Sequence, residues 1–370
     1  MRFEPSCSYE SIRRKTVDGQ TALAWLSRGR EDLCWDKFLQ ESPPGQYQQS
    51  TMWARAKEAG GWRPVRVVLT LGEQIVGGFQ ILRCKRWWGG IGYISKGPVV
   101  SAKHPEMADY AAELARDVSR RERLLALVVQ PPDTCEQMAA SLAAGGFSPG
   151  APVDVSMADW YFDLRGGLEV LESQMSRQTR RKVRQAVRRG VAIREGGRQD
   201  MELFFHLMES TCRRQGVDPS PPDVSHLLAL WDAAHPLGRL RLFFAEHDGR
   251  VLSGLLCIAF GKTFTMWKRG WSGMEGEGRP NELITFEALK WAVLNGYDFC
   301  DYPAFDERMA MAIQNGLPLS PEQERSRYCF ITRFGGMARF AGEPRQFYPN
   351  PLVRSAVMFF KRGSTVRRNR

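Results

Sequence analysis

Between Leu168 and Gly190 the apolar positions Leu168, Leu171, Met175, Val183, Ala186 and Val187 recur at helical spacing. At about 100° per residue they share one side of a predicted helix. Arg177, Arg181, Arg184 and Arg188 fall within roughly 60° of one another on another side. At about 1.5 Å per residue that arginine row is about 16 Å long. Strand and helix patterns alternate along the rest of the chain. After a break at SPPG (42–45), a helix over YQQSTMWARAKEA ends at Gly60–Gly61. Two strands follow around a turn at Gly72–Glu73, then a glycine-spaced strand ending in Lys96-Gly97-Pro98. A helix with Pro105 in its first turn, the buried strand LLALVVQPP and a short helix stopped by Gly145 complete the first half. Residues 1–40 show little strand signal and are expected to form an irregular or helical lead-in.

The second half repeats this order. A strand (DWYFDL) leads into the arginine helix, then a strand (VAIREG), two helices, and a hairpin turning at Asp248-Gly249. KTFTMWKRGWS is a further strand. A helix with Pro280 near its start and Gly296 after its end precedes the strand YDFCDYP. TLGEQIVGG in one half matches EHDGRVLSG in the other. Each hairpin is followed by a strand, a helix and a further strand, the order of an acyltransferase-type (GNAT) domain. The predicted fold class is therefore α/β, with two tandem GNAT-like domains of mixed sheets flanked by helices. The boundaries read as a lead-in over 1–40, domain 1 over 41–155 joined by a C-terminal segment 337–370, and domain 2 over 156–336.

Composition narrows the partners. The chain has 370 residues, 43% hydrophobic and 25% charged, an ordinary globular balance with ample core. A net charge of +11 points to an acidic partner: nucleic acid, an anionic membrane or a phosphorylated substrate. Arg180, Lys182 and Arg189 flank the arginine row, and from Arg177 to Arg198 the only acid is Glu195. Such a face is either a solvated surface that happens to be basic or an anion-binding surface whose self-repulsion a polyanion relieves. The eight cysteines contain no CxxC pair and read as reduced core residues. The five histidines show no metal-ligand spacing, so neither a metal nor a cofactor is expected. No signal peptide or transmembrane run is legible, which predicts a cytoplasmic protein. The tail NPLVRSAVMFFKRGSTVRRNR reads as a basic amphipathic segment. It is either a docked helix with a frayed end or a peripheral contact with the inner face of an anionic membrane.

The ordered landmarks resemble the Fem-type aminoacyl or peptidyl transferases over roughly residues 45–350. They are Gln49-Ser50-x-x-Trp53 with Lys57; Ile75-Val76-Gly77-Gly78; Tyr93 with Lys96-Gly97-Pro98-Val99; Thr211 with Arg213-Arg214; Trp267-x-x-Gly270-x-Ser272; Pro280-Asn281-Glu282-Leu283; Gly296-Tyr297 with Asp301; and Phe330 with Phe334-Gly335-Gly336. The resemblance implies two domains with a cleft for a nucleotide-sugar or lipid-linked precursor, and an aminoacyl-tRNA donor. It matches Lys57 and, less directly, Arg214 to phosphate contacts, and Tyr93 and Lys96 to a cleft-lining segment. It also marks departures. Ile331 stands where the family has a lysine thought to face the aminoacyl end, Arg333 being the nearest cation. Val100 and Ser101 stand where many members have an acid. The strand YDFCDYP lacks the usual glycines after Asp301, and no coiled-coil arm is present.

An activated ester needs a neutral, well-placed amine and donors for the oxyanion rather than a dedicated nucleophile. The chain accordingly offers no GxSxG. Asp301 is the candidate proton acceptor and Arg333 the candidate oxyanion or phosphate partner; their plainer readings are a loop cap and a surface charge. Trp267, Lys268, Arg269 and Trp271 mix aromatics with cations, as a base or sugar platform would, or form a strand with one wet face. Trp267 and Arg269 thus join Lys57, Tyr93, Lys96 and Arg214 as expected substrate-binding residues. Arg177, Arg180, Arg181, Arg184 and Arg188 are the expected tRNA-binding set. The loop before Pro280 suits a coenzyme A pyrophosphate but carries the repelling Glu275 and Glu277. The expected function is aminoacyl-tRNA-dependent amide formation on an amine acceptor, which is a peptide, nucleotide-sugar or lipid-linked precursor or a small biosynthetic molecule. An acyl-coenzyme A enzyme and a non-catalytic RNA- or phosphoglycan-binding module are the rivals.

Overall fold

A computed structural model describes residues 3, 9–43, 45–86, 89–133, 135–151, 157–274 and 278–355. The chain packs as two units, one comprising Met1–Ala54, Gly61–Val155 and Ala341–Arg370, the other Arg55–Gly60 and Ser156–Phe340.

The first unit opens with β1 (Tyr9–Val17), β2 (Gln20–Ser27) and α1 (Leu33–Glu41). This corrects the expected lead-in. β1 lies at the sheet edge and carries Arg13 and Lys15, which bridge to Glu113 and Asp117. Its pattern is largely polar because ion pairs help hold it; Ile12 and Val17 supply its contact with the core. Asp18-Gly19, with left-handed backbone at both positions, is the hairpin signal that reveals it. Next come α2 (Thr51–Lys57), whose last turn from Arg55 counts with the second unit, β3 (Arg63–Leu71), β4 (Gln74–Arg86), β5 (Gly89–Ser95), β6 (Val99–Val100), α3 (Met107–Arg121), β7 (Leu124–Gln130), α4 (Glu136–Ala144) and β8 (Ser148–Pro149).

The second unit runs β9 (Ala158–Asp163), α5 (Gly167–Gln174), α6 (Arg177–Arg188), β10 (Ala192–Glu195), α7 (Met201–Gln215), α8 (Val224–Ala234), β11 (Leu240–His247), β12 (Arg250–Phe260), β13 (Thr263–Trp271), α9 (Pro280–Leu294), β14 (Phe299–Tyr302), α10 (Glu307–Gln314), α11 (Pro321–Arg325), α12 (Arg327–Thr332) and β15 (Met337–Phe340). β16 (Arg345–Phe347) then pairs with β7 and β8 of the first unit.

Among the described residues the first sheet follows β1-β2-β3-β4-β5-β7-β16-β8, with β6 on β4. The second follows β10-β11-β12-β13-β14-β9-β15. Each sheet is antiparallel except at one central pair, β5/β7 and β13/β14. In each, a helix follows the hairpin's third strand and covers the sheet. Tyr110, Leu114 and Val118 of α3 share a core with Val65, Val67, Ile81 and Leu127. Ile284, Ala288 and Leu289 of α9 share one with Phe264, Met266 and Cys300. The repeated halves read from the sequence are thus two copies of one mixed-sheet architecture. No helix among the described residues is long and apolar enough to cross a membrane.

Candidate active site in the second unit

The predicted helix Leu168–Gly190 is two helices. α5 ends at Gln174, Met175 is buried and extended, and Ser176 caps α6 by accepting the Thr179 N–H at 3.1 Å. The arginine row therefore sits on a helix of its own, which buries Thr179, Val183 and Ala186. Val187, assigned to the apolar side by spacing, is 59% exposed. Arg177, Arg181, Arg184 and Arg188 are exposed and Arg180 half-buried. Among the described residues none of these five is ion-paired to an acid. A helix face of five uncompensated guanidiniums repels itself, so an external anion stabilises it.

β13 and β14 run parallel only from Thr263–Phe299 to Thr265–Asp301. Beyond Asp301, β14 ends at Tyr302 while β13 continues to Trp271, so the strands part. On the other edge of β13, Met266 faces Cys257 and Lys268 faces Leu256, leaving Trp267 as a bulge. A bulge re-aims side chains and leaves its own residue off the ladder, here beside a parting parallel pair. α9 begins at this mouth: the Ser253 hydroxyl donates to Asn281 Oδ1 at 2.7 Å. Open α/β sheets hold ligands at the carboxyl ends of their strands.

Arg269 fills the floor of the mouth. It donates to Thr285 Oγ1 at 2.7 Å and to the Asn281 carbonyl at 3.4 Å, and lies 5.3 Å over the Phe330 ring. Burial lowers its pKa, and Nε has no hydrogen-bond partner among the described residues. No carboxylate there lies within ion-pair distance of it. A desolvated guanidinium held by neutral acceptors is costly unless an anion completes it. Arg269 is therefore an inward anchor, and the outward platform expected of Trp267–Trp271 is corrected to that extent. Arg214, at the far end of the strand, stacks 4.8 Å over Trp271 and donates to the Trp271 and Ser272 carbonyls. Glu282, buried in the first turn of α9, pairs with Lys182 of α6 at 3.2 Å.

Asp301 sits in the last parallel register beside Thr265 and opposite Tyr161, whose phenol burial raises to about 12. Arg333 is exposed, and its carbonyl accepts the Ser176 N–H at 2.8 Å. That bond sets Arg333 at the start of the arginine helix. Ile331 is fully buried in the unit's core, which explains an apolar residue there. Phe334-Gly335-Gly336 is fixed by packing: both glycines have positive φ, and a Cβ on Gly336 would stand 2.6 Å from the Tyr161 carbonyl oxygen. Cys257 and Cys300 are buried thiols whose pKa burial pushes up, so neither is a nucleophile.

Three expected substrate residues are not among these contacts. Lys57 ends α2, half-buried. Tyr93 is buried with its ring edge-on to Trp62 at 4.7 Å. Lys96, also buried, is ion-paired to Asp133, which in turn accepts from Gln46 at 3.2 Å. Lys96 was expected to face a ligand; here Asp133, just beyond the end of the neighbouring parallel strand, neutralises it. Glu275, Glu277 and the tail from Ala356 to Arg370 lie outside the described residues.

Sequence reasoning missed Thr285 and Asp133, and read Lys182 only as a flank of the arginine row. Thr285 lies one turn after Asn281 on the same face of α9, the one signal that could have flagged it.

Fold and site together define a tandem GNAT-like protein. Residues 31–145 match the FemAB family and residues 173–308 match an acetyltransferase (GNAT) domain. The crystal structure of FemX superposes with a TM-score of 0.75 at 19% identity, over 86% of this chain and 96% of that one. A tandem GNAT protein from the clavulanic acid biosynthesis pathway does so at 0.51 and 12% identity, over 86% and 94%. The Fem-type resemblance read from the motifs thus holds, and so does the fold class.

Among characterised relatives, the chain is 26% identical over 227 residues to the Lipid II:glycine glycyltransferase of Staphylococcus saprophyticus, covering 58% of this chain and 54% of that protein. The enzyme of the same name from Staphylococcus aureus (strain MRSA252) matches at 26% over 225 residues, covering 58% and 53%. The chain spans about half the length of the curated relatives it matches.

Proposed function

We propose that this protein is an aminoacyltransferase that takes an amino acid from aminoacyl-tRNA and forms an amide on an amine-bearing acceptor, a lipid-linked peptidoglycan precursor by analogy with the named relatives. In that reaction the amine nitrogen attacks the ester carbonyl, the carbonyl–oxygen bond to the ribose breaks, and the amine's proton passes to the departing ribose oxygen. The observation that carries the reading is the uncompensated arginine face of α6, whose length of about 16 Å suits several successive phosphates of one strand. Arg177, Arg180, Arg181, Arg184 and Arg188 hold the tRNA backbone. Arg269 supplies the cation for the developing oxyanion or the terminal phosphate. Asp301 takes the amine's proton, and Arg333, at the start of α6, is a second cation for the oxyanion or a tRNA phosphate. No cofactor is needed, because the ester is already activated.

The GNAT-domain match favours a second reading, in which unit two takes an acyl-coenzyme A at the head of α9. One titration separates them: charged tRNA, uncharged tRNA and acetyl-coenzyme A against the wild type and Arg181→Glu/Arg184→Glu. Salt-dependent binding of charged tRNA, weakened at least tenfold by the charge reversal, is the expected result. Coenzyme A binding without tRNA binding overturns it.

A further inference from the structure

α6 has a second cationic feature besides its row. Lys182 lies about 130° around the helix from the centre of the arginine row, given about 100° per residue. It therefore points away from the phosphate-facing side, toward α9. Its ammonium is 3.2 Å from Glu282, and both side chains are largely buried. Glu282 is flanked by Asn281, whose carbonyl accepts from Arg269, and stands one turn before Thr285, which holds the same guanidinium. A continuous series of contacts thus runs from the arginine helix through Lys182, Glu282 and the first turn of α9 to the mouth between β13 and β14.

The pair is not needed to hold the helices together. Val183 and Ala186 of α6 already share a core with Ile284 and Ala288 of α9. A buried ion pair seldom adds net stability over apolar packing, and its best-attested use is to fix register. Apolar contacts slide; a charge pair between two helices specifies one setting. The setting matters here because a helix is about 10–12 Å across. A strand lying on the row is held on the order of 10 Å from the head of α9, and its reacting end has to arrive at Arg269.

We propose that Lys182 and Glu282 are positioning residues that lock the register of the arginine helix against α9, so that an RNA bound along α6 delivers its acyl end to Arg269. This rests on the tRNA-dependent reading above. A shift of about 1 Å at a reacting centre costs up to about a hundredfold in rate, while the phosphate contacts, all on the outer face, are unaffected. Breaking the pair separates transfer from RNA affinity.

The test uses the full chain, with glycyl-tRNA as donor and lipid II in detergent as acceptor. Lys182→Met and Glu282→Gln are expected to bind glycyl-tRNA within about threefold of wild type yet transfer about 10–100-fold more slowly in a single turnover. Lys182→Arg and the exchange Lys182→Glu/Glu282→Lys are expected to recover most of the rate; they also keep the test valid if a single variant folds poorly. Wild-type rates in both single variants overturn the proposal. So does a parallel loss of RNA affinity and rate, which would place the pair in the RNA surface itself. A wild type that binds no charged tRNA overturns the functional reading, and this proposal with it. Wild-type binding and transfer with unaffected pair variants overturn the proposal alone.

Discussion

Backbone strain marks the site at the scale of single residues. Among the described residues, Asp18 and Asp248 take left-handed backbone in hairpin turns and Arg123 does so just after α3. Lys96, Arg279 and Ala304 do so beside the ends of β5, before α9 and after β14. A non-glycine residue held there costs on the order of 1 kcal/mol and persists where its surroundings dictate it. Ala304 is held by Asp159, whose carboxylate accepts its N–H at 3.1 Å. It stands in the stretch after Asp301 where the sequence lacks the expected glycines. Ala304→Gly is therefore expected to stabilise the protein by up to about 1 kcal/mol, the relieved strain exceeding the added chain entropy. A shift of the urea midpoint at unchanged slope is the readout, and a destabilised variant refutes the strain. A second residue-scale effect depends on pH. Asp223 caps α8, accepting from Ser225 and His226, which hold its carboxyl at about 2. The folded pKa is depressed. Its contribution is thus complete above the ordinary carboxylate value of about 3.9 and is lost as pH falls through about 2. The stability gap between wild type and Asp223→Asn is expected to close on acidification across that window. A gap that persists to the bottom of the window contradicts it.

Local pattern and long-range packing divide the work at the scale of elements. The arginine row was legible because helical spacing is a property of neighbours, and five arginines in twelve positions need no partner to be seen. The break at Met175–Ser176 was not read, although Ser176 caps α6 locally; the carbonyl of Arg333, far along the chain, also holds it. Likewise β1 was hidden by its charges, whose acids lie on α3 about a hundred positions on. The row also makes a prediction of its own. If about five phosphates are engaged, log K should fall with log salt at a slope of about −3.5 to −4.5. Removing two arginines should reduce that slope by about 1.4 to 1.8. Titration of a labelled tRNA at several salt concentrations measures both. An unchanged slope in Arg181→Ala/Arg184→Ala would remove those residues from the phosphate contacts.

For the whole molecule, the net charge of +11 gives an attractive field for a polyanion but does not say where one docks. Location comes from the fold. Among the described residues each unit has one parallel strand pair, with a cation at or beyond the pair's carboxyl end. At the first, Lys96 meets Asp133 and the charge is cancelled. At the second, Arg269 is held by a hydroxyl, a carbonyl and a ring, and among the described residues no carboxylate lies within ion-pair distance of it. The sequence presented Lys96 and Arg269 alike, as cations at the ends of matching strands. By itself the sequence determined the α/β class, the internal repeat, the hairpin turns and the arginine row, all set by spacing among residues close along the chain. Only the tertiary structure decided which cations are compensated. Whether a charge is free depends on what folding brings within about 4 Å of it: an aspartate 37 positions away for Lys96, a threonine 16 positions away for Arg269.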